Sequence, residues 1–349
     1  MKPALYIHIP FCAQKCAYCD FASWAGREAA WEAYFDALEG ELDSWIERVG
    51  NEFSTVFIGG GTPSLAPAEY IARIARKVKC AEFSMEANPG TLTPEKLKIY
   101  REAGINRLSM GVQSFDDGLL KKIGRIHTAE QAEKAFVMAR EAGFDNINLD
   151  LMYALPGQTV EQWRKTLDTA ARLNPEHISA YSLIIEEGTP ISEWAEPLDD
   201  DIVNEMQRMC TGYLNEQGYT RYEISNYAKP GRECAHNICY WVRGDYIGIG
   251  CAAHSLFENR RFANTADLDE YLAGRRIVEE TQLDSGDIIE ETVMLGLRMA
   301  KGIAVESVPD MKAAQRLIKA GLAVIEEGRF MLTEHGMELQ NAVVIELLS

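Results

Sequence analysis

Between residues 4 and 183 one pattern recurs: a short apolar run, a loop of turn-forming residues, then a stretch with helical spacing. "ALYIHI" (Ala4–Ile9) reads as a strand, and Trp31–Val49 sets Trp31, Phe35, Leu38, Leu42 and Trp45 roughly on one helical face. "STVFI" (Ser54–Ile58) ends in "GGGTPS" and precedes a helix over about Pro67–Val78. "EFSMEANPG" is a short strand with a turn, and a helix from Pro94 stops at Gly104. "RLSMGVQSF", a helix over Thr128–Ala142, "NINLDLMYALPG", a helix over Thr159–Leu173 and "HISAYSL" complete six strands in sequence. Strands joined through helices pair in parallel with right-handed crossovers, so the fold class is α/β. Periodicity leaves open whether the sheet curls into a barrel or stays a flat doubly wound layer.

The pattern changes after about Pro190, which divides the chain into regions 1–190, 191–284 and 285–349. In the second, Asp200–Gln217 is helical, and "RECAHNICYWVRGDYIGIGCAAHS" has no clean period. The third reads as a small, mainly helical unit resembling a winged helix: a helix, "KGI", a helix near Met311–Ala320, a hairpin around "EEGR", then Thr333–Leu348. Nucleic acid is not an expected partner, because 53 acidic residues against 35 basic ones give a net charge of −18. No run approaches the roughly 20 apolar residues of a membrane span, and the start lacks a secretory pattern. A cytoplasmic, reducing setting is expected, where eight cysteines are thiols or metal ligands.

The chemistry-bearing residues fall at strand ends. In a parallel α/β barrel those loops converge on one face. Cys12, Cys16 and Cys19 follow the first strand, and Gly60, Gly61 and Thr62 follow the second. Glu86 closes the third, Gln113 follows the fourth and Asp150 sits near the end of the fifth. The Cys12-x3-Cys16-x2-Cys19 spacing suits three corners of a 4Fe-4S cluster, with one iron left open. The alternative is a zinc site completed by His8 or Asp20. Adjacent glycines permit close backbone approach, and carbonyls there can accept from an ammonium.

The CxxxCxxC spacing, with the aromatic Tyr18 before the last cysteine, resembles the radical S-adenosyl-L-methionine (SAM) superfamily. The resemblance implies a partial (β/α)6 barrel and a 4Fe-4S cluster on Cys12, Cys16 and Cys19. It also implies that the amine and carboxylate of SAM chelate the open iron. "YIHIPFCAQKCAYCDF", "GGGTPS", "MEANPG", "GVQSF", "GRIHT" and "NLDLMYALPGQT" are similar to one branch in particular. That branch holds oxygen-independent coproporphyrinogen III oxidase and the heme chaperones of the HemW family. By position, the resemblance implies that Tyr6, Gly60, Gly61, Thr62 and Glu86 contact SAM on the cluster. Gln113, Arg125 and Asp150 are then expected to line a neighbouring pocket, where the oxidase branch holds a second SAM. On the residues alone, Glu86 reads as a helix or turn cap and Arg125 as a solvated side chain.

Two departures set the chain apart from the oxidase pattern: Phe21 stands where that pattern has a further cysteine, and the first strand begins almost at once. "HNICYW" (His236–Trp241) resembles the HNxxYW signature of the HemW family, which implies that His236, Asn237, Tyr240 and Trp241 contact heme. Imidazole is a heme ligand, but a buried histidine among core aromatics fits the same residues. Cys234, Cys239, Cys251 and His254 are either a second metal site or small buried side chains. The expected function is a heme chaperone that hands heme to apo-hemoproteins, respiratory enzymes among them. The resemblance implies a reductant such as flavodoxin or ferredoxin as partner, and transient membrane association is compatible with it. The rivals are a coproporphyrinogen III oxidase and a radical SAM methyltransferase, so enzymatic turnover stays open on sequence alone.

Overall fold

The computed structural model describes residues 2–349. Six strands, Ala4–Ile9, Thr55–Gly60, Glu82–Ala87, Arg107–Gln113, Ile147–Tyr153 and His177–Ser182, lie side by side in chain order and pair in parallel. Most of their residues are buried, as happens when both faces of a parallel sheet are covered. The intervening helices start where the sequence places caps. Thr128 and Thr159 each close a capping box with the glutamine three residues on, and Thr93 caps the helix that opens with Pro94.

The sheet continues past both ends of this set. Tyr246–Ile249 pairs in parallel with the first strand, and His254–Phe257, Arg260–Asn264 and Ile277–Gln282 follow antiparallel. Beyond the sixth strand, Asn226–Ala228 and Thr220–Glu223 add antiparallel. The result is one open sheet of 12 strands. Its curvature shows in the cavity it encloses. At the ~4.8 Å strand spacing, the second and sixth strands of a flat sheet lie about 19 Å apart. Gly60 on the second, Glu86, Ser109, Asp150 and Tyr181 on the sixth nevertheless line one cavity. The six parallel strands therefore curl into a partial barrel, with the cavity at their C-terminal ends.

The stretch without a sequence period becomes short elements held by distant partners. The helix Ala235–Trp241 lies against the start of two barrel strands. Further on, Val293, Leu297, Ile303, Leu317, Phe330 and Val343 belong to a second apolar core. Around it stand a three-stranded antiparallel sheet (Ile303–Ala304, Arg329–Leu332, Ala323–Glu326) and the helices Ser285–Gly296, Met311–Lys319, Glu334–Glu338 and Gln340–Leu348. The stretch expected to run from Thr333 to Leu348 thus breaks at Leu339, whose backbone leaves the helical region. Among the described residues, no helix is long and apolar enough to cross a membrane.

Candidate functional site

The first strand delivers Phe11–Cys12, which pairs with Trp24–Ala25 and so closes the neck of the cysteine loop. Inside the loop, Cys19 N–H donates to Cys16 O (3.2 Å) and Ala17 N–H to Ile123 O (3.1 Å). All three cysteines are free thiols lining the cavity. Two of their sulfurs accept hydrogen bonds, Cys12 from Thr62 Oγ1 (3.6 Å) and Cys16 from Arg125 (3.5 Å). The thiolate is the form that binds metal. The cavity is lined by no histidine and by no cysteine beyond these three.

The glycine turn is as close to its neighbours as its composition predicts. A Cβ on Gly61 would stand 2.7 Å from Phe11 O, and one on Gly60 would stand 2.5 Å from the His8 ring. Gly60 also has φ of 112°, where side chains other than hydrogen are strained. Its N–H donates to Glu86 Oε2 (3.0 Å). Burial pushes the Glu86 carboxyl up to about 8, the nearby Asp150 charge adds to this, and the Gly60 N–H opposes it. Asp150 is also raised by burial, against the hydrogen bonds from Asn148 Nδ2 (2.7 Å) and Ser109 Oγ (3.2 Å). Gln113 sits at a bulge with φ of 68° and accepts from Tyr181 OH (3.0 Å). Arg125 is held between Gly111 O and Cys16 Sγ, and its Nε finds no partner. The structure thus brings Cys12, Cys16, Cys19, Gly60, Gly61, Thr62, Glu86, Gln113, Arg125 and Asp150 to one cavity.

A family model described as the radical SAM superfamily matches residues 6–170, and one described as the HemN C-terminal domain matches residues 283–339. The chain is 36% identical to "Heme chaperone HemW" of Bacillus subtilis, covering 98% of both chains. It is 37% identical to the protein of the same name in Escherichia coli, covering 98% of this chain and 97% of the other. The chain belongs to the heme chaperone HemW family. Among solved structures it is similar to Escherichia coli coproporphyrinogen III oxidase (HemN), described as a radical SAM enzyme. The TM-score is 0.88 at 25% identity, over 100% of this chain and 90% of that one.

Within this HemW-family chain, two sets of expected residues lie apart from the cavity. Tyr6 does not line the cavity. Its hydroxyl is paired with His8 Nδ1 (2.9 Å). The residues expected to contact heme, His236, Asn237, Tyr240 and Trp241, lie on the helix Ala235–Trp241, which contacts Thr55 and Glu82 at the starts of their strands, away from the cysteines. His236 is buried, with Nδ1 paired to Thr55 Oγ1 and Nε2 to Tyr240 OH, both at 2.8 Å. Its ring stacks on Phe57 at 5.2 Å. Both ring nitrogens of His236 are thus hydrogen-bonded within the fold. Burial pushes the His236 pKa down to about 3, with the Arg107 charge adding to the shift. Glu82 holds the helix start, accepting from the Ala235 and His236 N–H groups. Trp241 lies under the Arg298 guanidinium at 4.4 Å. HNICYW therefore closes the base of the barrel. Cys234 and Cys251 are buried, and their thiols are directed to different acceptors, Glu82 and Thr265 O.

Two residues take roles that the sequence did not assign: His8, named there only as a possible zinc ligand, and Lys96. His8 bridges Tyr6 OH and, through Nε2, Ala22 O (2.9 Å), fastening the exit of the cysteine loop to the first strand. Its place two residues after Tyr6 on one strand face was the available signal. Lys96 reaches the turn that follows Thr62.

Proposed function

We propose that the chain is a heme chaperone that holds a 4Fe-4S cluster on Cys12, Cys16 and Cys19 and SAM beside it, and passes heme to apo-hemoproteins. The carrying observation is end-to-end similarity to proteins named heme chaperone HemW in a chain whose cavity offers three thiols and no fourth ligand of that kind. Soft thiolates suit an iron–sulfur cluster, and the missing fourth donor leaves one corner for a small ligand. With SAM bound, such a cluster supplies an electron to the sulfonium.

The residues around the thiols fit a cationic ligand with several hydroxyls. Glu86 and Asp150 offer carboxyl oxygens, and Gly60–Thr62 offer backbone groups at close range. Burial raises the pKa of the Glu86 carboxyl, and a cationic ligand beside it favours its charged form. Arg125 keeps positive charge beside Cys16, offsetting part of the negative charge of a thiolate-bound cluster. Phe21, 63% exposed at the cavity rim, presents an apolar ring where a flat tetrapyrrole approaches. Flavodoxin or ferredoxin is the proposed reductant, and respiratory hemoproteins are the proposed acceptors.

The test is anaerobic reconstitution followed by heme titration and transfer to a heme-depleted acceptor. Saturable heme binding and restored acceptor activity are the expected results. Absence of saturable binding would overturn the reading. The second reading, coproporphyrinogen III oxidase, draws on the likeness to HemN over the full chain. Formation of protoporphyrinogen IX from coproporphyrinogen III, given SAM and reductant, would establish it instead.

A further inference from the structure

Lys96 lies in the first turn of the helix Pro94–Glu102, outside the cavity. Its ammonium leaves that helix and donates to three successive carbonyls, Ser64 O (2.7 Å), Leu65 O (3.3 Å) and Ala66 O (3.3 Å). These carbonyls belong to the short turn Pro63–Leu65 and the residue after it. A single helical turn has no internal donors for its last carbonyls, and the negative end of its dipole favours a cation. One flexible ammonium with three donors meets that need.

The same turn is tied on its other sides. Ser64 Oγ accepts from Asn88 N–H (3.0 Å) and pairs with Thr91 Oγ1 (2.6 Å). Upstream, Gly61 N–H donates to Ile9 O (2.8 Å) and Thr62 N–H to Phe11 O (2.7 Å), while Thr62 Oγ1 reaches Cys12 Sγ. The segment Gly60–Ala66 is thus strung between the exit of the first strand and one half-buried ammonium. Gly60, Gly61 and Thr62 line the cavity.

We infer that Lys96 is a positioning residue for the amine end of the sulfonium cosubstrate, acting through the Pro63–Ala66 turn. This rests on the proposal that SAM occupies the cavity. Lys96 touches no reacting atom. It holds the carbonyls of the turn in place, and the turn holds the backbone of Gly60–Thr62 at the spacing a bound ammonium needs. Without the ammonium, three carbonyls lose their shared donor and the turn is held only through Ser64 and its upstream backbone bonds.

The test uses full-length, anaerobically reconstituted protein. SAM binding is read from the change in the reduced-cluster EPR spectrum during titration, alongside iron content and melting temperature. Amide exchange over residues 61–66 is read separately, without SAM. For Lys96→Met we expect unchanged iron content, faster exchange over 61–66, and a SAM dissociation constant raised about tenfold, the scale of one charge-assisted hydrogen bond. Lys96→Arg restores most of the loss. A SAM dissociation constant within about twofold of the parent overturns the inference, as does a loss shared equally by iron content and melting temperature. Should Lys96→Met fail to fold, Lys96→Gln decides the matter: it keeps an amide donor but removes the charge and the three-way contact. Weaker SAM binding by Lys96→Gln at full iron content supports the inference, and parental binding overturns it. If the parent shows no spectral response to SAM, the occupancy reading itself fails and takes this one with it.

Discussion

His236→Ala separates a barrel-closing role for HNICYW from a heme-ligating one. The imidazole is 1% exposed and joins Thr55 Oγ1 to Tyr240 OH. Neither hydroxyl has another side-chain partner among the described contacts. Truncation strands both, at about 1 kcal/mol or more each, and leaves a cavity against Phe57. The sum is about 3–5 kcal/mol, a large share of the roughly 5–15 kcal/mol that a folded domain has. The assay is urea unfolding of the apo protein at pH 7 and pH 5, followed by heme titration of the folded variant. The pH arm has a definite sign. His236 titrates near 3 in the fold and near 6.5 unfolded, so below pH 6.5 the unfolded state binds more protons and the parent loses stability as pH falls. His236→Gln removes that contribution, so its stability falls less steeply, by about 1.4 kcal/mol per unit between pH 6 and 4. Heme affinity of the folded variants is expected to stay at the parental value. Unchanged stability together with loss of the heme absorption band would refute the barrel-closing role.

Gly61→Ala drives a methyl group into the Phe11 backbone, so it is expected to displace Cys12 and lower iron content after reconstitution, with about 1–3 kcal/mol of destabilisation by urea titration. Cys16→Ala and Cys19→Ala are each expected to abolish the iron–sulfur absorption of reconstituted protein while leaving far-ultraviolet circular dichroism unchanged. Glu86→Gln tests the buried carboxyl. Its folded pKa of about 8 lies above the unfolded 4.5, so the parent apo protein loses about 1.4 kcal/mol per unit as pH rises between these values. The variant keeps an acceptor for Gly60 N–H and escapes that loss, so its stability gain over the parent, measured by unfolding at pH 5 and pH 8, grows with pH.

Local spacing alone made much of this protein legible. The alternation of apolar runs and helical stretches determined an α/β fold with parallel strands, because each periodicity is written within a few residues. Cys12, Cys16 and Cys19 are readable for the same reason: ligands on one short loop carry their geometry in their spacing. The threonines at 93, 128 and 159 announce helix starts through bonds to residues three positions on.

Only the tertiary structure decided what depends on distant partners and on burial. The flat or curled state of the sheet follows from which side chains meet across it, and the shared cavity settled it. HNICYW names a histidine and two aromatics, but Thr55, Phe57 and Glu82, some 150 residues away or more, decide that the imidazole is enclosed. Tyr6 faces His8 instead of the cavity, and Lys96 tends a turn about 30 residues upstream. The carboxyl of Glu86 is an ordinary acid in an extended chain and a reluctant one beneath Gly60. Desolvation and long-range pairing come into being only when the chain closes on itself, so no window of sequence contains them.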